Sequence, residues 1–313
     1  MLRSGFLAAL LLLAAGAPDA GAIEVLTGTL GKVARTHTVV IGYRTSSLPF
    51  SFVEGAAGAA PPASPDAAPA GAKRPIGYAI DLCQEIVEDI EREIGQDNLK
   101  VVYEPVTSAS RIEAVTSGRI DLECGSTTAN AERRQSVSFS PVTFISATKL
   151  LVRKGSPVAS YRDLGGRRVA VTAGTTNESV VRTQLARLGI QAEIVTGRDH
   201  AESFAMVRDG RADALALDDV LLYGLIAGGG PDAKDYTVLA DKLSFEPYAI
   251  MFRKNDLELA AVVSGTFSRL AESRELRWTY EKWFLKRLPN GERLNVPMSD
   301  ELRTSFQVIG LQD

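Results

Sequence analysis

The 313-residue chain is long enough to bury one or two hydrophobic cores, and 45% of its residues are apolar. Its 35 basic and 38 acidic residues leave a net charge of −3, which gives no electrostatic footprint for nucleic acid. Two cysteines are too few for a disulfide scaffold or a four-ligand zinc site, and two histidines leave little material for metal chemistry. We therefore expect no metal site and no cofactor.

The first 22 residues have the pattern of an export signal. Arg3 provides a positive start, residues 6–17 form an uninterrupted apolar run, and residues 20–22 form a small-residue cleavage site. The alternative is a membrane anchor, but the apolar run is short for a span of about 20 residues. Cleavage after Ala22 predicts a soluble exported protein, located in the periplasm if the source is Gram-negative.

Strands and helices are predicted to alternate from Thr36 onward. In the first half, strands are predicted at 37–44, 99–106 and 119–125, and helices at 75–95 and 108–118. After Lys149 the predicted order is strand 149–155, strand 167–174, helix 177–188, strand 192–197, helix 200–210 and strand 211–219. This alternation is typical of α/β folds with parallel sheets.

One segment breaks the alternation. Residues 55–73 consist almost entirely of Ala, Pro and Gly and have no apolar period. This composition predicts a flexible insertion in a surface loop.

An internal similarity predicts two lobes of similar construction. Residues 115–125 and 207–217 share the pattern V-x-x-G-R-x-D, and each follows a predicted strand and a short helix. Two α/β units built alike would place their ligand sites beyond the carboxyl ends of their strands. If the two units face each other, those sites share one cleft, the usual position of a small-molecule site.

The residues predicted at these strand ends suit a small anion that also carries an ammonium group. Arg44, Arg111 and Arg133 could bind carboxylates, while hydroxyls and helix N-termini complete their coordination. Asp218 or Asp219 could pair with the ammonium. Taken singly, each arginine could be a surface residue, His200 could be a core residue, and either aspartate could cap a helix.

Several segments together resemble the solute-binding proteins of amino-acid ABC importers, and most closely those that bind glutamate and aspartate. The matching segments are YRTSSLPFSF (43–52), IGYAIDL (76–82), ECGSTTANAERR (123–134), FSPVTF (139–144), DLGGRRVAVTAGTTNE (163–178) and KWF (282–284). The insertion at 55–73 departs from that family's short loop but lies outside its binding motifs.

This resemblance implies a two-lobed, periplasmic-binding-protein-like (type II) α/β fold with a ligand cleft and two hinge strands. One lobe would hold residues 23–147 and 247–313, and the other 148–246. The protein would be a monomer without catalytic residues that captures L-glutamate or L-aspartate and delivers it to an ABC-type membrane permease.

The resemblance also assigns roles to individual residues. It alone favours Asp218 over Asp219 as the partner of the ammonium group. The residues matched to the ligand's α-carboxylate are Thr128, Arg133 and Thr176. Those matched to the α-ammonium are Ser126 and Asp218. Those matched to the side-chain carboxylate are Arg44, Ser108, Arg111 and His200.

The sequence leaves three other functions possible, and it leaves open whether the two cysteines form a disulfide. The same fold resembles periplasmic dehydratases of the prephenate or arogenate type, for which Glu178 or His200 could serve as acid or base. The chain could instead be a sensory module that docks on a separate receptor, or it could bind another solute such as glutamine. Cys83 and Cys124 could form a disulfide or remain two buried thiols.

Overall fold

The computed structural model describes residues 26–54 and 74–312. The predicted export signal at 1–22 and the predicted insertion at 55–73 lie outside the described residues. Among those described, no helix is long and apolar enough to cross a membrane.

The described residues form nine α-helices and fourteen strands, joined by short 3-10 turns at Arg133–Gln135, Tyr161–Leu164 and Gly230–Asp235. The helices are α1 (Gly28–Thr36), α2 (Tyr78–Ile94), α3 (Arg111–Thr116), α4 (Thr176–Leu188), α5 (His200–Arg208), α6 (Asp219–Gly228), α7 (Leu257–Glu272), α8 (Glu275–Phe284) and α9 (Asp300–Val308). The strands are β1 (Thr38–Tyr43), β2 (Ser46–Ser47), β3 (Ser51–Phe52), β4 (Lys100–Pro105), β5 (Leu122–Cys124), β6 (Val137–Phe139), β7 (Phe144–Ser146), β8 (Thr148–Arg153), β9 (Arg168–Thr172), β10 (Glu193–Gly197), β11 (Ala214–Asp218), β12 (Tyr236–Val238), β13 (Glu246–Tyr248) and β14 (Met251–Arg253).

Two five-stranded sheets organise the molecule, with strand orders β4-β1-β5-β14-β6 and β10-β9-β11-β8-β12. In the first sheet β1 lies parallel to β4 and β5, and in the second β9 lies parallel to β10 and β11. The predicted similarity between the two halves is therefore present: β4–α3–β5 and β10–α5–β11 occupy equivalent positions around a central strand.

The prediction of purely parallel sheets is wrong for two strands. Strand β8 pairs antiparallel with β11 and β12, and β14 pairs antiparallel with β5 and β6. These are the strands by which the chain enters the second sheet and returns to the first. Neither follows a crossover helix, which parallel neighbours require, so both run in the opposite direction.

The chain passes between the sheets through two short strands, β7 and β13, which pair antiparallel and form what we call the crossing pair. Tyr248 faces Phe144 in this pair, and both rings pack in a buried aromatic cluster with Phe50 and Phe284. Because the cluster anchors the crossing pair, residues on these strands have fixed positions between the two sheets.

Helix α2 covers one face of the first sheet. Its predicted apolar positions Ile80, Ile86, Val87 and Ile90 are all buried, which follows from the 3.6-residue period of the sequence. The helix ends as predicted at Gly95, whose left-handed conformation (φ 64°) suits a residue without a Cβ.

Cys83 and Cys124 form a disulfide that joins α2 to β5, so the alternative of two buried thiols is wrong. Both residues are fully buried, and 41 residues separate them along the chain. The bond therefore ties the helix to the strand that leads into the loop at Gly125.

We predict that reducing this bond lowers the free energy of unfolding by about 4 kcal/mol, because a closed loop of this length restricts the unfolded chain. Urea unfolding of the oxidised and the fully reduced chain measures the difference without changing any side chain. Equal midpoints for the two forms would contradict the expectation.

Candidate ligand-binding site between the two sheets

A small cavity of about 10 Å³ lies where the strand ends of the two sheets meet. Thr175, Asn177 and Leu221 contribute to its walls. The cavity is also lined by seven of the residues matched to the family's binding positions: Ser108, Arg111, Ser126, Thr128, Thr176, His200 and Asp218.

Helix starts and strand ends place these side chains. Arg111, Thr176 and His200 are the first residues of α3, α4 and α5, and Asp218 is the last residue of β11. Two of these helix starts are capped by the preceding residue: Thr175 accepts from the backbone N–H of Glu178, and Asp199 accepts from that of Glu202. The capping fixes where α4 and α5 begin and therefore where Thr176 and His200 lie.

Three arginine side chains are buried at this site. Arg44 and Arg111 are each 2% exposed and Arg133 is 8% exposed. Burial, followed by repulsion from Arg111, lowers the pKa of Arg44 and of Arg133 to about 10. Burial also lowers the pKa of Arg111. All three guanidinium groups remain charged at neutral pH.

Arg44 and Arg133 lie beside the cavity rather than in its wall. Arg133 is held by its own loop, because Nη1 donates to the carbonyl of Thr128 at 2.9 Å. Its Nη2 reaches the carbonyl of Gly174 in the second half of the chain, at 3.4 Å. Arg133 therefore contacts backbone on both sides of the cleft.

Two buried carboxylates at the site were missed by sequence reasoning. Glu123, within β5, is fully buried, and Glu246, in the crossing pair, is 2% exposed. A glutamate inside an otherwise apolar strand, two residues before a glycine, was the available signal for Glu123. Nothing in the local sequence indicates that Glu246 reaches the site.

Glu246 joins the two halves of the cavity. Its Oε2 accepts hydrogen bonds from the hydroxyls of Thr128 and Thr176, each at 2.7 Å. Thr128 comes after β5 of the first sheet, and Thr176 begins α4, which comes after β9 of the second sheet. A single carboxylate oxygen on the crossing pair therefore links both sheets.

Asp218 is buried and accepts hydrogen bonds from Asn177 Nδ2, at 2.8 Å, and from the hydroxyl of Tyr248. Burial, reinforced by the charge of Glu246, raises its pKa to about 7. Asp219 points elsewhere: it accepts from Ser146 and forms an ion pair with Lys149 at 3.1 Å. Of the two aspartates, only Asp218 lines the cavity.

His200 is a neutral group at this site. Burial and the charges of Arg44 and Arg111 hold its pKa well below the usual range. One ring nitrogen, Nδ1, lies 3.1 Å from the hydroxyl of Thr172. The other nitrogen, Nε2, has no partner among the described residues.

Buried polar atoms without a partner are concentrated at this site. In the described part of the chain such atoms occur on nine residues, and five of these are residues matched to the binding positions. The five atoms are Arg44 Nη1, Ser108 Oγ, Arg111 Nε, Ser126 Oγ and His200 Nε2. Because buried polar groups are normally paired, a cluster of unpaired ones indicates a site built for a polar ligand.

A larger cavity, of about 150 Å³, lies between the β2–β3 hairpin and helices α5 and α6. Its walls are mainly apolar and include Leu48, Phe52, Phe204 and Leu225. The buried arginines do not line it, so its chemistry does not match that of a charged ligand.

Residues 39–286 match the family model of bacterial extracellular solute-binding proteins, family 3. The chain belongs to this family. It is 39% identical to an L-glutamate/L-aspartate-binding protein of Pseudomonas aeruginosa, over 90% of this chain and 88% of that protein. It is 33% identical to a glutamate/aspartate import solute-binding protein of Salmonella typhimurium, over 93% of this chain and 89% of that protein.

Solved structures support the fold. A solute receptor for L-cysteine from Neisseria gonorrhoeae superimposes with a TM-score of 0.67 at 22% identity, over 82% of this chain and 94% of that one. The expected two-lobed, periplasmic-binding-protein-like α/β fold is therefore confirmed, with the crossing pair as its two connecting strands.

The relatives bear on the dehydratase alternative as well, because they are named as binding proteins rather than enzymes. Of the acid–base candidates for this solute-binding protein, Glu178 does not line the cavity and pairs with Arg182 at 3.0 Å. His200 lines the cavity, but its lowered pKa leaves it without a proton to give as an imidazolium.

We predict that Asp218 contributes a fall in the stability of this solute-binding protein as pH rises from about 4 to about 7. Unfolded, this carboxyl has a pKa of about 3.9. Between that value and the folded pKa of about 7, the folded state binds more protons than the unfolded state, so raising the pH favours unfolding.

Urea unfolding at pH 5 and pH 8 tests this, with Asp218→Asn as the variant that keeps the shape but cannot ionise. The wild type should lose more stability between the two pH values than the variant does. Identical losses would show that Asp218 does not titrate in this range.

Proposed function

We propose that this solute-binding protein binds an acidic amino acid, L-glutamate or L-aspartate, and delivers it to an ABC-type permease. The observation that carries the proposal is the group of three buried guanidinium groups in and beside one cavity, opposite the carboxylate of Asp218; two of them, Arg44 and Arg111, have unpaired donors. A ligand with two carboxylates and one ammonium complements this set of charges. The similarity to an L-glutamate/L-aspartate-binding protein and to a glutamate/aspartate import solute-binding protein adds support.

In this proposal each part of the ligand meets a separate group of residues. Arg133, Thr128 and Thr176 hold the α-carboxylate, and Ser126 and Asp218 hold the α-ammonium. The side-chain carboxylate lies against four residues with unpaired donors: Arg44, Ser108, Arg111 and His200. Planar guanidinium groups suit this role because they bind carboxylates in a bidentate manner.

Export and assembly belong to the same proposal. Residues 1–22 direct the chain to the periplasm and are removed, and the mature protein works as a monomer without catalytic activity. The two lobes, 23–147 with 247–313 and 148–246, close on the ligand and exclude water, which strengthens each charge pair. The closed form then docks on the permease.

A thermal-shift screen of the purified chain against the twenty amino acids and common dicarboxylates tests the function directly. Glutamate or aspartate should raise the melting temperature most, since a ligand at 100 times its dissociation constant adds about 2.7 kcal/mol. Calorimetry of Arg111→Ala should then show glutamate affinity reduced roughly 30-fold or more, the effect of losing about 2 kcal/mol from a buried charge pair.

Arg277→Ala is the matched control, because Arg277 forms its ion pair with Glu281 on an exposed helix face. This variant should bind glutamate as the wild type does. The proposal fails if no acidic amino acid stabilises the wild type, and the side-chain carboxylate assignment fails if Arg111→Ala retains full affinity.

Gly224 offers a test of lobe closure. A Cβ added at this position in α6 would lie 2.1 Å from the carbonyl oxygen of Leu48, which belongs to the β2–β3 hairpin on the opposite side of the cleft. We predict that Gly224→Ala disfavours the closed form by about 1–3 kcal/mol through overpacking. The ligand affinity should fall by the corresponding factor, fivefold to more than 100-fold.

The same change should not destabilise the unliganded protein, because alanine favours a helix by up to about 1 kcal/mol over glycine. Gly265→Ala is the control: it lies inside α7, and an added Cβ meets no atom within 4 Å. The closure argument is wrong if Gly224→Ala binds glutamate as tightly as Gly265→Ala does.

A further inference from the structure

Glu123 lies near Arg44, Arg111 and Arg133 but forms no direct hydrogen bond or ion pair with any of these three arginines. The side chain is fully buried in β5, and its charge opposes the lowering of the pKa of Arg44, Arg111 and Arg133. Its Oε2 accepts a hydrogen bond from the hydroxyl of Thr127 at 2.5 Å.

Thr127 connects this carboxylate to Arg111. Its hydroxyl oxygen accepts a hydrogen bond from Arg111 Nη1 at 2.6 Å, and the residue is fully buried. A hydroxyl has one proton, and here that proton is committed to Glu123, so its lone pairs must face the guanidinium. Because a guanidinium can only donate, the Thr127 hydroxyl accepts from Arg111 and gives its own proton to Glu123, so the three groups form one chain of hydrogen bonds that holds Arg111 in place.

Gly125 makes room for this arrangement. A Cβ at Gly125 would lie 2.4 Å from Glu123 Oε1 and 2.9 Å from Arg44 Cγ. The absence of a side chain therefore leaves the carboxylate and the arginine stem the space that a Cβ would take.

We propose that Glu123 is a positioning residue that fixes the guanidinium of Arg111 through the Thr127 hydroxyl and so favours a ligand with a side-chain carboxylate over its amide. This inference rests on the proposed function, because it concerns Arg111, which in that proposal binds the side-chain carboxylate of the ligand.

The physical reason is that a fixed guanidinium presents only donors in one plane. A carboxylate meets them with two acceptor oxygens, whereas an amide presents one acceptor and one competing N–H₂ donor. An arginine free to rotate could turn away from the amide nitrogen. An arginine held by Thr127 cannot turn away. A donor then faces the amide N–H₂ of glutamine, and this mismatch lowers the affinity for glutamine.

Calorimetry of glutamate and glutamine binding tests the proposal on Thr127→Val, which keeps the shape of the side chain and removes the hydroxyl. Glutamate affinity should fall about tenfold, the loss of one charge-assisted hydrogen bond, and glutamine affinity should change less than about threefold. Thr127→Ser retains the hydroxyl and should restore the wild-type ratio of the two affinities.

Thr266→Val is the matched control, because Thr266 is equally buried but lies in α7 and bonds only to its own helix. Its affinity ratio should equal that of the wild type. A purely structural role for Thr127 would weaken both ligands alike, and an unchanged ratio in Thr127→Val overturns the proposal.

Glu123→Gln is the conservative variant. Its amide oxygen can still accept from Thr127, while one negative charge near Arg44, Arg111 and Arg133 is lost, so the preference for glutamate should be equal to or greater than in the wild type, and a shift toward glutamine overturns the proposal. Glu123→Met removes the acceptor and should shift the preference toward glutamine as Thr127→Val does, and an unchanged ratio in Glu123→Met overturns the role of Glu123. If the wild type binds neither ligand, the proposed function itself fails, and this result is distinct from both outcomes.

Discussion

The burial of three positive charges in one cleft is the constraint on which the rest of this structure depends. A buried cation is costly unless hydrogen bonds and opposite charges surround it. Here Glu123, Glu246 and Asp218 lie within the same region, and backbone carbonyls complete the coordination of Arg133. These anions offset part of the cost of burying the arginines between the two sheets.

The site is assembled from three parts of the chain. The first sheet brings Arg111 and Ser126, the second brings His200 and Asp218, and the crossing pair brings Glu246. Movement of one sheet relative to the other therefore changes the distances within the site. Conversely, any ligand that contacts both sheets favours one relative position of the sheets, which is the physical basis of coupling between binding and shape.

Local pattern was sufficient to predict the elements that bury one regular face. Helix α2 follows from its apolar period and closing glycine, and the repeated strand–helix–strand units follow from a shared pattern. The partners of the arginines were not predictable in this way. Glu123 and Glu246 contradict the rule that charged residues lie outside, and the bond between Glu246 and Thr128 joins residues 118 positions apart. Strand direction in β8 and β14 likewise depends on the path of the whole chain.

The cross-link between Cys83 and Cys124 has a consequence beyond cohesion of the core. Cys124 directly follows Glu123 in the chain and precedes Gly125 and Ser126, so the sulfur bridge anchors the segment that carries the counter-ion and one wall of the cavity. Whether the environment is oxidising therefore decides whether the disulfide holds Cys124, the residue next to Glu123. In a copy of the chain folded without this bridge, Glu123 and its neighbours would be held only by the pairing of β5 with β1 and β14.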